Sequence, residues 1–211
     1  MTQHRAKRSR LHWNYFLALD RDLEVVWRYV ELSQANYRTY SVELARLLFA
    51  AASEVDVIAK ATCALVAPSE QPQDMDEYRS VLVPLVPTLL EMQAVIPRYE
   101  LTFMPWTEWR NNRNPDWWTK YNNVKHQRDR LLHEGNLRNA LNAMSGLLTV
   151  TFQFYRLTLA DSDGRLPSRK ETTDLLEPKP SLLLLPSDHY YDNLVAGLRQ
   201  RTASVFPWPH A

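Results

Sequence analysis

Apolar residues recur every three or four positions over much of the first 160 residues, which is the spacing of helices that bury one face. The two longest patterns run from about 41 to 67 and from about 136 to 159. Ser41 and Asn136 stand where each helix needs an N-cap, and Pro68 prevents the first helix from continuing. The apolar stripes consist of Leu44, Leu48, Ala51, Val55 and Ile58 in the first pattern, and of Leu137, Leu141, Met144, Leu148 and Phe152 in the second. We therefore expect two long core helices.

Two shorter apolar patterns predict further helices. One opens at Asp20 or Asp22 and buries one face. The other is capped by Asp76, and its apolar run contains Pro84 and Pro87, which lack backbone donors and clash with the preceding turn. We therefore expect this second helix to kink or to split into two short pieces.

The remaining patterns set the expected domain organisation. Residues 94 to 103 alternate between apolar and polar, which predicts an extended segment. The whole pattern predicts an all-α fold, an antiparallel bundle of four to five helices over residues 11 to 160, preceded by a disordered basic arm at residues 1 to 10. Residues 161 to 211 hold six of the thirteen prolines and a few isolated apolar anchors. We expect an irregular Pro-rich tail that packs on the bundle or on a partner, with residues 165 to 211 dispensable for folding.

A central stretch, residues 114 to 136, combines helix signals with polar chemistry. Asn114, Pro115 and Asp116 suit the start of a helix, and Gly135 suits its end. An apolar stripe at spacings of seven consists of Trp117, Val124 and Leu131. The line of side chains on the opposite face consists of Asn122, His126, Asp129 and His133. These four can meet each other or a shared ligand.

Four tryptophans lie within or just before this stretch: Trp106, Trp109, Trp117 and Trp118. Such a density either seals a core around the central helix or offers stacking surfaces to nucleic-acid bases. We favour the core, because large aromatic side chains bury the most apolar surface.

The charge of the whole chain indicates no particular ligand, whereas the charge of one segment does. The 25 basic and 24 acidic residues exclude a protein built throughout as a polycation for nucleic acid. From Arg110 to Arg138, however, seven basic residues face three acidic ones, a local excess of four. This segment can attract an anion.

The single cysteine, Cys63, excludes an internal disulfide and lies in an apolar helical run, where we expect a small core residue. The first twenty residues lack a signal-peptide core, and polar residues interrupt the most apolar later run. With 211 residues and 45% apolar content, we expect one main domain in the cytoplasm with no membrane span.

Phosphate loops, paired zinc knuckles and nucleophile elbows are absent from the sequence. One remaining constellation is His126, Asp129 and His133, which could contact one divalent ion. These histidines are two turns apart, however, and hydrogen-bonded histidines are the commoner outcome, so we expect neither metal nor cofactor. Asp56 and Lys60 are expected to form an ordinary ion pair one turn apart.

The second constellation is Arg128-Asp-Arg-Leu-Leu-His133. An arginine followed at once by a polar residue, and separated from a histidine by four residues, resembles the motif of the HEPN superfamily. In that family the motif lies in an all-helical bundle, and two protomers form a composite site for metal-independent RNA cleavage. The resemblance implies that Arg128 holds the scissile phosphate, that His133 transfers a proton and that Asp129 orients one of them. The stretch from Trp117 to His126 is also similar to uncharacterised bacterial proteins.

The side chains themselves suit this chemistry, since a guanidinium stabilises phosphate charge and an imidazole moves protons near neutrality. On a regular helix Arg128 and His133 lie about 140° apart, so a shared phosphate requires a distorted helix or a second chain. We expect a homodimeric ribonuclease or toxin-type effector acting on RNA, with an antitoxin or another protein as a candidate partner. The expected substrate-binding residues are Asn122, Lys125, His126 and Arg130.

Two other functions remain open. The first is a non-catalytic helical module that uses the same polar face to bind a partner protein. The second is a metal-dependent helical enzyme that uses His126, Asp129 and His133.

Overall fold

The structure is a computed structural model that describes residues 10 to 191, and this range is mainly helical, as predicted. Its seven α-helices are α1 (Leu11–Val26), α2 (Val42–Val66), α3 (Met75–Leu85), α4 (Asp116–His126), α5 (Arg128–Leu131), α6 (Leu137–Thr158) and α7 (Arg169–Leu175). Two short strands, β1 (Ala94–Ile96) and β2 (Leu101–Phe103), form a small sheet. The expected count of four to five helices is not matched exactly, because the central helix divides and α7 lies in the predicted tail. Residues 1 to 9 of the expected basic arm lie outside the described range.

The core is built on α2 and α6, which form the most extensive helix pair. The predicted caps are confirmed: Ser41 Oγ accepts from the Leu44 N–H at 3.0 Å, and Asn136 Oδ1 accepts from the Asn139 N–H at 3.1 Å. Just before α2, the Thr39 carbonyl accepts from the Leu137 N–H at 2.9 Å. Both helices therefore start at the same end of the molecule and run in the same direction, so the bundle is not antiparallel throughout.

α1 and α4 run against this parallel pair. The His12 ring is 2.6 Å from Glu54, and the Asp22 carboxylate is 2.7 Å from Arg46, so α1 is antiparallel to α2. On the other side, Trp117 of α4 packs on Gly146 of α6, where an added Cβ would lie 2.9 Å from the indole ring. The small residue on α6 therefore permits the close helix contact that α4 makes.

Asp20 does not cap α1, which begins at Leu11, nine residues earlier than predicted. Its side chain is only 1% exposed. The carboxylate accepts hydrogen bonds from the N–H and hydroxyl of Ser181 at 2.8 and 2.9 Å, and from the N–H groups of Leu182 and Leu183 at 3.3 and 3.0 Å. Asp20 thus fixes the C-terminal segment against the first helix.

The segment after α7 contributes to the hydrophobic core. Its buried residues are Leu176, Leu182, Leu183 and Leu185. Leu184 also exchanges backbone hydrogen bonds with Val95 at 2.7 and 2.9 Å, which extends the sheet beside β1. The described part of the Pro-rich tail therefore belongs to the folded unit, and this speaks against the expectation that residues 165 to 211 are dispensable for folding.

The extended segment predicted at 94 to 103 is confirmed as a hairpin, in which Ala94 pairs with Phe103. The proline-containing helix splits as expected: α3 ends at Leu85, and a 3₁₀ turn follows at Pro87–Glu91. Its cap is Asp74 rather than Asp76.

Cys63 is fully buried, as predicted for a core residue. Of the four clustered tryptophans, Trp106, Trp109 and Trp117 are buried, which confirms the core interpretation for these three, whereas Trp118 is only half-buried. Within residues 10 to 191, none of the helices has the length and apolar character needed to cross a membrane.

Candidate functional site

The central stretch is not one helix, which corrects the sequence prediction. α4 ends at His126, Gln127 adopts a non-helical conformation with φ −139° and ψ 46°, and α5 then makes a single turn. A 3₁₀ turn, Leu132–Glu134, completes the segment. The break falls between the predicted substrate residues on α4 and Arg128, so the two groups do not form one straight line.

Both ends of this stretch also differ from the prediction. α4 begins at Asp116, and the Asn114 side chain, instead of capping it, bonds to Arg79 at 3.0 Å and to Asp76 at 3.3 Å. Gly135 has an ordinary negative φ of −75°, so it does not serve as a left-handed helix stop. A Cβ at Gly135 would lie 2.6 Å from the Cβ of Ala45, so glycine is required there by the close approach of α2.

The predicted site residues lie at the surface on either side of the break. Asn122 is half-buried. The exposed residues are Lys125, His126, Arg128, Asp129, Arg130 and His133. We call these six residues the exposed basic segment. Leu131, the third member of the predicted apolar stripe, is half-buried rather than part of the core.

Arg128 and His133 do not meet within one chain. Among residues 10 to 191, no hydrogen bond or ion pair joins them, and the Arg128 guanidinium lies 4.9 Å from the centre of the Phe49 ring. Asp129, expected to orient one of the pair, lies 3.7 Å from Arg130, and both of these side chains are about four-fifths exposed. Such an exposed ion pair contributes little to stability, so these side chains are not held in place.

Metal ligation by His126, Asp129 and His133 is not supported. In the part of the chain that the structure describes, no group of three or more histidine, cysteine, aspartate or glutamate side chains is placed to hold a metal ion. The break at Gln127 removes the continuous helix on which this ligand set depended.

Glu134, which the sequence did not single out, anchors the segment that bears His133. Its carboxylate accepts from Lys120 Nζ at 2.7 Å and from Asn123 Nδ2 at 2.8 Å, and its side chain is 14% exposed. Burial acts to raise the pKa of Glu134, but the hydrogen bonds from Lys120 and Asn123 outweigh it and lower the pKa. Glu134 is therefore ionised at neutral pH and ties the turn after α5 to α4.

A polar cavity of about 520 Å³ lies beside α4, between α2 and the start of α3. It is lined by Asn122 and Lys125, two of the predicted substrate residues, and by Trp118 and Tyr121. Asp56 also lines it. The expected ion pair between Asp56 and Lys60 does not form, and Lys60 donates instead to Gln73. We call this space the α4 cavity.

A chain of aromatic contacts connects the α4 cavity to Arg128. The ring centres of Tyr121 and Phe49 are 5.2 Å apart, and Arg128 lies over Phe49. Lys125 Nζ lies 5.5 Å from the Tyr121 ring centre. Lys125 lines the α4 cavity and also belongs to the exposed basic segment, so the two adjoin.

No protein-family model, curated protein or solved structure matches this chain.

Proposed function

We propose that the protein is a HEPN-like, metal-independent endoribonuclease or toxin-type effector, with Arg128 and His133 as its catalytic residues. The observation that supports this most is the exposed basic segment, in which both side chains lie outside the core and face solvent. Neither side chain forms an ion pair among residues 10 to 191, and the guanidinium of Arg128 over the Phe49 ring and the imidazole of His133 can both contact a phosphate.

The proposed chemistry is transesterification. His133 accepts the proton of the 2′-hydroxyl, the 2′-oxygen attacks phosphorus, and the bond to the 5′-oxygen breaks as that oxygen is protonated. Arg128 stabilises the charge on the non-bridging oxygens. The products are a 2′,3′-cyclic phosphate and a 5′-hydroxyl, so no hydrolytic water or metal is needed. Asp129 positions Arg128 or His133 once RNA or a second chain is bound.

The proposed active form is a dimer. Because Arg128 and His133 do not meet within one chain, a two-fold axis beside α5 would bring Arg128 of one protomer towards His133 of the other. Phe49, which supports the Arg128 guanidinium from below, would lie at this interface.

A non-catalytic module that binds a partner protein is the second candidate. It is favoured by the same observation that Arg128 and His133 are separate within one chain. An arginine over an aromatic ring at an exposed surface is also common at protein interfaces. An antitoxin or another acidic partner would bind this segment.

RNA cleavage in EDTA tests the first proposal. We expect the wild-type protein to cut single-stranded RNA and leave 2′,3′-cyclic phosphate ends, and Arg128→Ala and His133→Ala each to lower the rate about 10²- to 10⁴-fold. Arg21→Ala, an exposed arginine on α1, is the matched control and should retain the wild-type rate. All three variants should melt within a few degrees of wild type, because surface substitutions change stability little.

Two results would contradict this assignment. Wild-type protein that is free of co-purified inhibitor and cuts no RNA in EDTA would rule out the metal-independent nuclease. Loss of cleavage in His126→Ala, with cleavage intact in His133→Ala, would instead place the site at Asn122, Lys125 and His126.

A further inference from the structure

We propose that the α4 cavity binds a guanine base of the RNA. This inference rests on the proposed function, and it names the nucleotide that the same surface selects. It uses Trp118 and Asp56, neither of which has a role in the cleavage chemistry.

The dimensions and aromatic wall of the α4 cavity suit a nucleobase. Its volume of about 520 Å³ falls within the range of about 300 to 1,000 Å³ that is typical of small-molecule sites. Trp118 and Tyr121 lie side by side on one wall, with ring centres 5.2 Å apart. Trp118 is the one tryptophan of the cluster that the core does not bury, and proteins that read single-stranded RNA stack bases on such side chains.

The polar wall is rich in hydrogen-bond acceptors. Three carboxylates line it, those of Asp56, Asp74 and Asp76. Asp74 is occupied as the cap of α3, where it accepts from the Glu77 N–H at 2.9 Å, and Asp76 pairs with Arg79 at 2.8 Å. Asp56 makes no ion pair among the residues described. Asp56 accepts a hydrogen bond from the buried Tyr78 hydroxyl, but the two oxygens of a carboxylate have about four acceptor sites, so Asp56 can also accept from a ligand.

Guanine is the base that a lone carboxylate recognises best. Its Watson–Crick edge presents the N1–H and N2–H₂ donors side by side, and these match the two oxygens of one carboxylate. Adenine and cytosine each place an acceptor next to their donor, and uracil flanks its single N–H with two carbonyls, so each of them would oppose a lone pair to the carboxylate. The Asn122 amide, which donates one N–H to the Trp118 carbonyl at 3.2 Å, can serve a remaining group of the base with its other N–H.

The charges around the α4 cavity favour a base inside it and a phosphate outside it. With three carboxylates and one lysine, the cavity lining repels a phosphate group. Lys125 lies at its exposed side over Tyr121, and Arg128 lies one ring further on over Phe49. A guanine inside the cavity would therefore leave its phosphate outside, on the exposed basic segment. The acidic lining would also suit an organic cation, which the test below distinguishes.

Nucleoside binding to the full chain tests this inference independently of cleavage, because nucleosides contain no phosphodiester bond. We expect NMR titration to show guanosine binding at least ten-fold more tightly than adenosine, cytidine or uridine. Asp56→Asn should weaken guanosine binding more than ten-fold, because an amide cannot accept from both donors. Trp118→Ala should weaken it about 5- to 100-fold through loss of the stack. Asp76→Asn is the matched control in the same cavity and should retain binding.

The outcomes separate the two proposals. Guanosine binding with no RNA cleavage supports the cavity and contradicts the nuclease. RNA cleavage with equal, or no, binding of the four nucleosides overturns the cavity assignment alone. Spermidine binding that Asp56→Asn abolishes, without guanosine binding, also overturns it and identifies a cation site. A melting scan of Asp56→Asn, whose carboxylate hydrogen-bonds the buried Tyr78, shows whether the variant is folded, and Trp118→Ala gives a second reading if it is not.

Discussion

At the scale of single residues, His189 is the clearest source of acid sensitivity. Its ring is 4% exposed, packs edge-on against Phe152 at 5.1 Å and lies 3.0 Å from the Asp188 carboxylate. Burial lowers the pKa of His189, although Asp188 acts to raise it, and Arg169 beside Asp188 lowers it further. The folded protein therefore resists binding a proton that the unfolded chain accepts near pH 6.5.

The lowered pKa of His189 makes the folded protein less stable at acidic pH. Between the unfolded pKa and the lower folded pKa, the unfolded chain holds more protons, so stability increases with pH. We expect the melting temperature to fall as the pH drops from 7 to 5, and His189→Gln to flatten this slope. An unchanged slope in His189→Gln, with the fold intact by circular dichroism, would contradict this explanation.

Individual polar residues also show where sequence reasoning fails. Ser41 and Asn136 were correctly predicted as caps because each bonds to a backbone N–H three residues away. Asp20 was wrongly predicted to start a helix, because the donors that its carboxylate binds lie 161 residues further along the chain. Glu134 was missed for a related reason: Lys120 lies on a separate element, and no helical spacing connects the two. Local chemistry is visible in a sequence, whereas partners brought together by folding are not.

At the scale of elements, the break after α4 has no local signal in the sequence. Gln127 is neither proline nor glycine, so periodicity alone predicted a continuous helix. The sequence does contain Gly135 nearby, but glycine is required there because α2 approaches closely, and not because the residue ends a helix. The two long core helices, in contrast, were predicted closely because their stripes are long and regular.

Gly135→Ala tests whether the close approach of α2 is the reason for glycine at this position. The new Cβ would lie 2.6 Å from the Ala45 Cβ, so the turn that bears His133 must move away from α2. We expect a destabilisation of about 1 to 3 kcal/mol, the usual cost of overpacking, measured by urea unfolding. Gly164→Ala is not an equivalent control, because that glycine has a positive φ.

A second variant distinguishes steric overlap from backbone strain at this position. Adding Ala45→Gly removes the Cβ that Gly135→Ala would strike, so the double variant should regain more stability than the two single changes predict when summed. Strictly additive effects would show that the close approach of α2 is not the reason for the glycine.

At the scale of the whole molecule, the described part of the C-terminal segment belongs to the core, and its removal should be costly. A chain ending at residue 164 loses Leu182, Leu183 and Leu185 from the core and all the donors to the Asp20 carboxylate. The lost apolar burial and the lost hydrogen bonds to a charged group should together cost several kcal/mol, on the order of 1.5 to 3 kcal/mol for each fully buried leucine. We expect this chain to be insoluble or unfolded by circular dichroism. A chain ending at residue 191 keeps all of these contacts and is the control.

We also expect the protein to be a dimer in solution. Because Arg128 and His133 are separate within one chain, the proposed nuclease requires two chains at one site. Light scattering at micromolar concentration should give twice the monomer mass of 24.7 kDa. Mixing Arg128→Ala with His133→Ala should then restore part of the activity, because one of the two composite sites in a mixed dimer would be intact. A strict monomer would favour the protein-binding module instead.

The Asp20 contact also constrains the order in which the protein can mature during translation. α1 leaves the ribosome well before its donors do, because the buried Asp20 carboxylate accepts from residues 181 to 183, which lie 161 to 163 residues further along the chain. Until then, closing the core around α1 would bury an unsatisfied charge, which is strongly unfavourable. Nascent chains should therefore keep α1 undocked until residues 181 to 183 have left the ribosome.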